Sequence, residues 1–373
     1  MEDRLITFAA GVIAKADKEN PADAVLKQEL RSTLNIGRLQ TGDLSRIVFS
    51  YYRWYGWLDH ARPVTAQLKR AIELANGFGE RPESFSDEKM LERCVPPWIH
   101  EQLDVSPQWI LTLQSQPKLW LRARHGQGPD LAKKLHSAKA RSVPDAVLYL
   151  REEDLFRTPE FQAGEFEIQD IASQIVGLLC DPQPTETWWD ACAGEGGKLL
   201  HLSDLMQNKG LIWASDRAEW RLRKLKLRAA RARAFNYRSV PWDGGVKPPT
   251  KTKFDGVLVD APCTGVGTWQ RNPHARWTTT PQDVAELAEV QKNLLRHVAG
   301  SVKPGGKLIY SVCTLTQAET TDVVETLNKE LTGFDPLPLA DFVQPGGPAL
   351  SVRTIWPQDL GGNGMFIAGW KKK

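Results

Sequence analysis

Two cysteines stand in matched surroundings: Cys263 within Val-Asp-Ala-Pro-Cys-Thr-Gly and Cys313 within Tyr-Ser-Val-Cys-Thr-Leu, each after a short β-like run. A thiolate is a soft nucleophile that adds well to an electron-poor ring carbon. Two thiols at neighbouring strand ends suit covalent chemistry on a base, one forming an adduct and the other helping to release it. Chain order alone does not say which does which. A solitary strand-end cysteine is more often a small buried hydrophobe, but Asp260-Ala261-Pro262 directly ahead of Cys263 argues for chemistry. Small residues and a proline shape a rigid loop that can approach a flat base. Asp260 can hydrogen-bond the Watson–Crick edge of a pyrimidine; its simpler role is to cap the next turn.

A second group of residues has the chemistry of an adenosine site. Asp190-Ala191-Cys192-Ala193-Gly194-Glu195-Gly196-Gly197-Lys198 joins an expected strand to an expected helix. Its glycines let backbone amides approach a ligand, and a helix N-terminus favours an anionic group. The turn lacks the Lys-Ser/Thr ending of a phosphate-gripping loop and the spacing of the dinucleotide fingerprint. Asp216 ends the next expected strand, where a carboxylate can accept both hydroxyls of a ribose. This pattern fits an adenosine ligand without phosphates, and S-adenosylmethionine is the cofactor expected. Asp243, in Val240-Pro241-Trp242-Asp243-Gly244, can accept from the adenine amino group or merely end a turn.

These residues need a scaffold that gathers strand ends. From about residue 165 the chain alternates strand and helix, the pattern of an open, mostly parallel sheet. Strands are expected at 187–190, 211–216, 254–260, 307–312 and 364–370, and a helix at 168–179. Ligands and catalytic groups of such sheets collect at the carboxyl ends of the strands. Upstream, residues 1–80 read as a helical domain from the spacing of Leu5, Phe8, Ala9, Val12 and Ile13, and again of Leu44, Ile47, Val48, Tyr51 and Tyr52. Residues 81–160 mix strand and helix as a small α/β module, leaving 161–373 as the third domain. The five cysteines are odd in number and lack zinc-finger spacing, which points to a reducing compartment and no disulfide framework. The histidines show no ligand spacing, so no metal is expected. An acidic start and the absence of a run of about 18 apolar residues give the expectation of a cytoplasmic protein without a membrane partner, and nothing requires more than a monomer.

Taken together, the chain resembles an RNA (cytosine-5) methyltransferase of the RsmB/NOP/Sun family. The stretches that carry the resemblance are 164–173, the Asp190 to Lys198 turn, Ser215-Asp216, Asp255 to Trp277, Lys303-Pro304-Gly305-Gly306-Lys307 and Tyr310 to Leu315. It covers roughly residues 160–373. More weakly, Leu44-Ser45-Arg46-Ile47-Val48 with Trp54 to Asp59 is similar to the antitermination-factor-like helical domain of the bacterial branch. The fold so implied is α/β: a Rossmann-like S-adenosylmethionine-dependent methyltransferase sheet, with the helical domain and a small α/β RNA-contacting module in front. By the same resemblance Cys313 is the nucleophile, Cys263 releases the product, and Asp260 acts at the base. Cys192, Ala193, Gly194, Glu195, Gly196, Gly197, Lys198, Asp216, Asp243 and Asp260 hold S-adenosylmethionine. The implied substrate is RNA, ribosomal RNA ahead of transfer RNA. The competing reading is a catalytically weak RNA-binding or ribosome-assembly factor on the same fold.

The chain departs from the family at several places. Gly194-Glu195 replaces Ala-Pro and Leu199 replaces Thr, so a carboxylate is expected near the methionine carboxylate of the cofactor. Arg122-Ala123-Arg124 stands where the small module often has Arg-Val-Asn, and His274 where an acid is common. The net charge of +3 is too small to imply a polyanionic partner by itself, so distribution matters more. Residues 217–233 hold eight Lys/Arg against Glu219 alone, either a solvated helix face or a surface for RNA phosphates. Arg122, Arg124, Lys133 and Lys134 suggest a second basic surface. Residues 271–277 are expected to line a base pocket, with Trp269 and Trp277 placed to stack a displaced base.

Overall fold

The computed structural model describes residues 2–32 and 38–373. It separates into two compact units, Met1–Pro117 with Gly265–Asp283, and Lys118–Thr264 with Val284–Lys373.

The first unit is helical. Helices α1 (Glu2–Lys15), α2 (Ala22–Ser32), α3 (Arg38–Arg53) and α4 (Val64–Glu80) turn apolar stripes inward, burying Ile6, Ala9 and Val12 with Leu44, Val48, Leu68 and Ala71. The unit continues past the boundary expected at residue 80 through α5 (Asp87–Arg93) and α6 (Pro107–Gln114). Helix α6 starts where Ser106 accepts from the Trp109 amide and Pro107 takes the first helical position. Its buried Trp109, Ile110 and Leu113 commit this stretch to the helical core.

The second unit begins with an antiparallel sheet ordered β2-β3-β1-β4, from β1 (Leu119–Ala123), α7 (Gly128–Lys134), β2 (Ala138–Lys139), β3 (Ala146–Tyr149), α8 (Pro159–Gln162) and β4 (Phe166–Ile168). The larger sheet follows: α9 (Ile171–Cys180), β5 (Thr187–Asp190), α10 (Gly197–Leu205), β6 (Leu211–Asp216), α11 (Glu219–Arg231), β7 (Tyr237–Pro241) and β8 (Phe254–Asp260). The chain then passes through the first unit, where α12 (Pro273–Thr278) lies, and returns along α13 (Pro281–Ala299). It ends with β9 (Val302–Val312), α14 (Thr321–Glu330), β10 (Phe334–Pro336), β11 (Val352–Ile355), α15 (Pro357–Leu360) and β12 (Met365–Lys372).

The order β10-β12-β9-β8-β5-β6-β7 is parallel from β9 to β7, with β12 antiparallel on β9. Strand order reverses between β5 and β8, so β5, β6, β8 and β9 open their carboxyl ends on one crevice, the usual ligand position of such sheets. Close packing sets the β5–β8 register. Trp188 lies opposite Gly256, and a Cβ at residue 256 would meet the buried indole at 2.3 Å. Trp189, also buried, donates its indole N–H to Ser215 Oγ of β6 at 2.8 Å.

Within this unit, polar contacts tie the small sheet to α10 and to the segment that leads into α9. Arg122, 1% exposed, donates to Asp204 Oδ2 at 2.9 Å and to Gln169 Oε1 at 2.7 Å. Arg124 pairs with the other Asp204 oxygen at 3.1 Å. One member of the expected basic surface is therefore corrected: the Arg122 guanidinium is an internal tie, whereas Lys133 and Lys134 are exposed, the latter paired with Glu165.

Candidate active site

The catalytic candidates come together at the carboxyl ends of β8 and β9. Cys263 lies just past β8 and Cys313 directly past β9, with their Sγ atoms 3.4 Å apart. Asp260, the last residue of β8, accepts from Lys198 Nζ at 2.6 Å on one oxygen and from Ser311 Oγ at 2.8 Å on the other. Nucleophile-type thiols, a carboxylate and an ammonium thus share one strand-end cluster, although 50 residues separate the cysteines.

Cys94 and Cys180 are buried, whereas Cys192, Cys263 and Cys313 are half-buried. The thiols of Cys94 and Cys180 are pushed up by burial, and that of Cys192 is raised by burial together with the charges of Asp190, Asp260 and Asp216. A thiol held protonated is a poor nucleophile. Cys263 and Cys313 are the half-buried thiols that face each other here.

The Gly-rich turn follows β5 and enters α10. Gly194 and Gly196 take positive φ values of 53° and 85°, and a Cβ at 196 would strike Leu225 at 2.7 Å, which accounts for glycine at both positions. Asp216 ties the turn to β6: one oxygen accepts from the Gly194 amide at 3.0 Å and the other from the Ala218 amide at 2.8 Å. A carboxylate has about four acceptor sites, so the same group retains capacity for a ribose hydroxyl. Asp243 is exposed and its Oδ1 accepts from the Gly245 amide at 2.9 Å. The turn-ending role is present.

Glu195 does not stand as an unbalanced charge. Its carboxylate pairs with Lys224 of α11 at 2.7 Å, and its carbonyl accepts from Arg228 at 3.2 Å. The expected repulsion of an anionic ligand group is thus offset by a local cation. Lys198, read from the sequence as part of the cofactor turn, sends its side chain to Asp260. Burial works against its charge, but Asp260, Cys313 and Asp190 outweigh burial and raise its pKa. Beneath them Asp190 is buried, its oxygens accepting no well-formed hydrogen bond, and its pKa is raised to about 7 by burial first and by Asp260 second. Ser311 was missed by sequence reasoning although it sits inside the quoted Tyr-Ser-Val-Cys motif. Its role depends on the β8–β9 register, which pairs it with Asp260.

Trp269 and residues 271–277 correct a further expectation. Trp269 is fully buried between Trp98 and Trp109, and Trp277 donates to the Tyr52 carbonyl at 2.7 Å. Arg276 is fully buried, donating to the carbonyls of Cys94 at 2.9 Å and Leu113 at 3.1 Å, and His274 packs on Tyr52. Trp269, His274 and Arg276 are thus part of the core of the helical unit and half-buried Trp277 is tied to it, so Trp269 is not placed to stack a displaced base, while Arg271 is exposed. Aromatic residues near a catalytic motif in sequence gave no sign of which unit they fill.

Residues 177–371 match the family model described as 16S rRNA methyltransferase RsmB/F. The chain is 39% identical to the probable ribosomal RNA small subunit methyltransferase B of Synechocystis sp., over 89% of this chain and 84% of that one. It is 33% identical to the human 28S rRNA (cytosine(4447)-C(5))-methyltransferase over 61% of this chain, spanning 30% of the human protein. Of several further bacterial relatives it spans a little over half. Among solved structures, PH0851 superposes with a TM-score of 0.80 at 21% identity, covering 98% of this chain and 97% of that one, a likeness of fold. The matched family region holds the Gly-rich turn, the Asp260-Lys198 pair and both strand-end cysteines, and the chain belongs to the RsmB/F family of 16S rRNA methyltransferases.

Proposed function

We propose that this protein methylates carbon 5 of a cytosine in RNA, with ribosomal RNA ahead of transfer RNA as substrate, through a covalent Cys313–cytosine adduct resolved with Cys263. The observation that carries the reading is the convergence of the two Sγ atoms, 3.4 Å apart, beside the Lys198–Asp260 pair. The name of the human relative supplies the carbon-5 position and the rRNA class.

The residues of the turn fit S-adenosylmethionine: Cys192 through Lys198 offer backbone amides, Asp216 faces the turn, Asp260 is tied to it through Lys198, and Asp243 follows β7. When bound, the cofactor supplies a sulfonium-activated methyl group. Cys313 attacks ring carbon 6 as the thiolate, forming a carbon–sulfur bond and pushing electron density to carbon 5. Asp260 hydrogen-bonds nitrogen 3 and relays a proton to it, which Lys198 replaces across the 2.6 Å contact. Carbon 5 takes the methyl group; the Cys263 thiolate takes the carbon-5 proton, the nitrogen-3 proton returns through Asp260 to Lys198, and the carbon–sulfur bond breaks to regenerate the Cys313 thiolate. Cys263 is placed to assist that last step. The target cytosine must be unstacked, since its faces are closed inside a helix. The cytoplasm is the compartment that suits reduced thiols and this substrate.

The test is methyl transfer from labelled S-adenosylmethionine into RNA from cells lacking the gene, followed by nucleoside mass spectrometry. The expected product is labelled 5-methylcytosine, abolished by Cys313→Ser with RNA binding nearly intact. Substantial turnover in Cys313→Ser would move the nucleophile elsewhere. The assembly-factor reading rested on Glu195, and the Lys224 pair removes that support.

A further inference from the structure

Glu319, in the turn between β9 and α14, is fully buried. Burying a carboxylate is costly unless its oxygens are satisfied, and here the donors come from both cysteine loops. On one side the Thr264 amide donates at 2.9 Å to Oε1, and the Thr264 hydroxyl donates to Oε2. On the other, the hydroxyls of Thr314 and Thr316 donate to Oε2 at 3.1 and 2.8 Å. Thr264 and Thr314 are the residues directly after Cys263 and Cys313. A third strut comes from α13: Gln291 Nε2 donates to Glu319 Oε1 at 3.0 Å and to the Pro262 carbonyl at 2.9 Å. Tyr310 of β9 lies within hydrogen-bond distance of both Gln291 Oε1 and the Glu319 carbonyl.

Only a carboxylate suits this position. Both of its oxygens accept, whereas an amide would turn an N–H₂ group toward hydroxyl or amide donors. We infer that Glu319 is a positioning residue that holds the Cys263 loop in register with Cys313, an inference that rests on the covalent reading of the two cysteines. The two loops do not depend on it equally. Cys313 directly follows β9, which is paired on both sides by β8 and β12. Cys263 lies in a loop, and its neighbours Pro262 and Thr264 are held by Gln291 and Glu319. Loss of the carboxylate therefore displaces Cys263 more than Cys313. The adduct still forms, and its release slows.

The experiment compares wild type, Cys263→Ala, Glu319→Gln and Thr264→Val, each incubated with RNA and S-adenosylmethionine. Denaturing gels read the covalent complex, product formation reads turnover, and calorimetry with S-adenosylmethionine reads whether the cofactor site is intact. The expected result is that Glu319→Gln binds the cofactor as wild type does, loses turnover by about 10²-fold, as an ångström-scale misplacement of a reacting group can cause, and accumulates adduct as Cys263→Ala does. Thr264→Val, a milder change that keeps the amide bond, accumulates adduct to a smaller extent. Adduct in Cys263→Ala but not in Glu319→Gln or Thr264→Val overturns the positioning role alone. No adduct in Cys263→Ala overturns the covalent reading and this inference with it.

Discussion

At the scale of single residues, the crevice contains a carboxyl group whose environment disfavours its charge. Asp190 closes β5 under the Gly-rich turn, and burial with the nearby Asp260 raises its pKa from 3.8 to about 7, against the opposing pull of Lys198. The folded protein thus binds a proton that the unfolded chain gives up at lower pH. Asp190 contributes fully to stability below about pH 4 and that contribution is lost as pH rises through 7, at a cost of up to roughly 4 kcal/mol. Asp190→Asn should abolish this dependence. Urea unfolding at pH 5 and pH 8 should show a smaller difference in the variant, which should be the more stable protein at pH 8. An unchanged pH difference would assign the slope to other groups. The cysteines, Asp260 and the Gly-rich turn were legible in the sequence because their chemistry is local to short motifs. The partner of Lys198 and the contacts of Glu319 were not, because each depends on side chains brought together from separate strands and turns.

At the scale of elements, legibility follows the physics of each strand. β5, β6 and β8 are buried parallel strands, near-continuous apolar runs that end in Asp, and their limits match those expected. β9 begins at Val302, through Lys303-Pro304-Gly305-Gly306, a stretch whose residues signal a turn. β10 and β11 pair only with β12 at the sheet edge and carry little periodicity. Helix α11 shows how a charge run divides once it is folded. Arg228 and Arg231 both bind Glu167, which is 3% exposed, and Lys224 binds Glu195. Arg221, Arg223 and Lys226 are exposed on the same helix. Replacing these three with Gln should lower RNA affinity and flatten the dependence of log K on log salt, by up to about 0.7–0.9 per lost phosphate contact. Replacing Arg228 and Arg231 should instead destabilise the fold by about 3–5 kcal/mol, since a buried carboxylate is left unpaired. Filter binding across a salt series and urea unfolding separate the two effects. An unchanged salt slope in the first variant would make α11 a solvated face.

At the scale of the whole molecule, the chain makes one excursion that no local pattern announces: 265–283 leave the second unit and complete the first. Arg276 is what they contribute most distinctively. Its guanidinium reaches the carbonyls of Cys94, Leu113, Trp269 and Arg53, joining the ends of α3, α5 and α6. The environment disfavours its charge, with burial lowering the pKa to about 9, and the carbonyls it satisfies offset that cost. Arg53 beside it follows the same logic, lowered by burial to about 10 and donating to the Gln270 carbonyl at 3.2 Å. Arg276→Ala removes donors from several buried carbonyls, each worth roughly 1–3 kcal/mol when orphaned. The helical unit should then lose its hold on α6 first. Hydrogen exchange read by mass spectrometry should show protection falling at 94–114, with β5 at 187–190 remaining protected. Undiminished protection across 94–114 would mean that the apolar packing of Trp109, Ile110 and Leu113 holds α6 without the arginine. A uniform loss that includes β5 would mean that the effect of the substitution is not confined to the helices Arg276 joins.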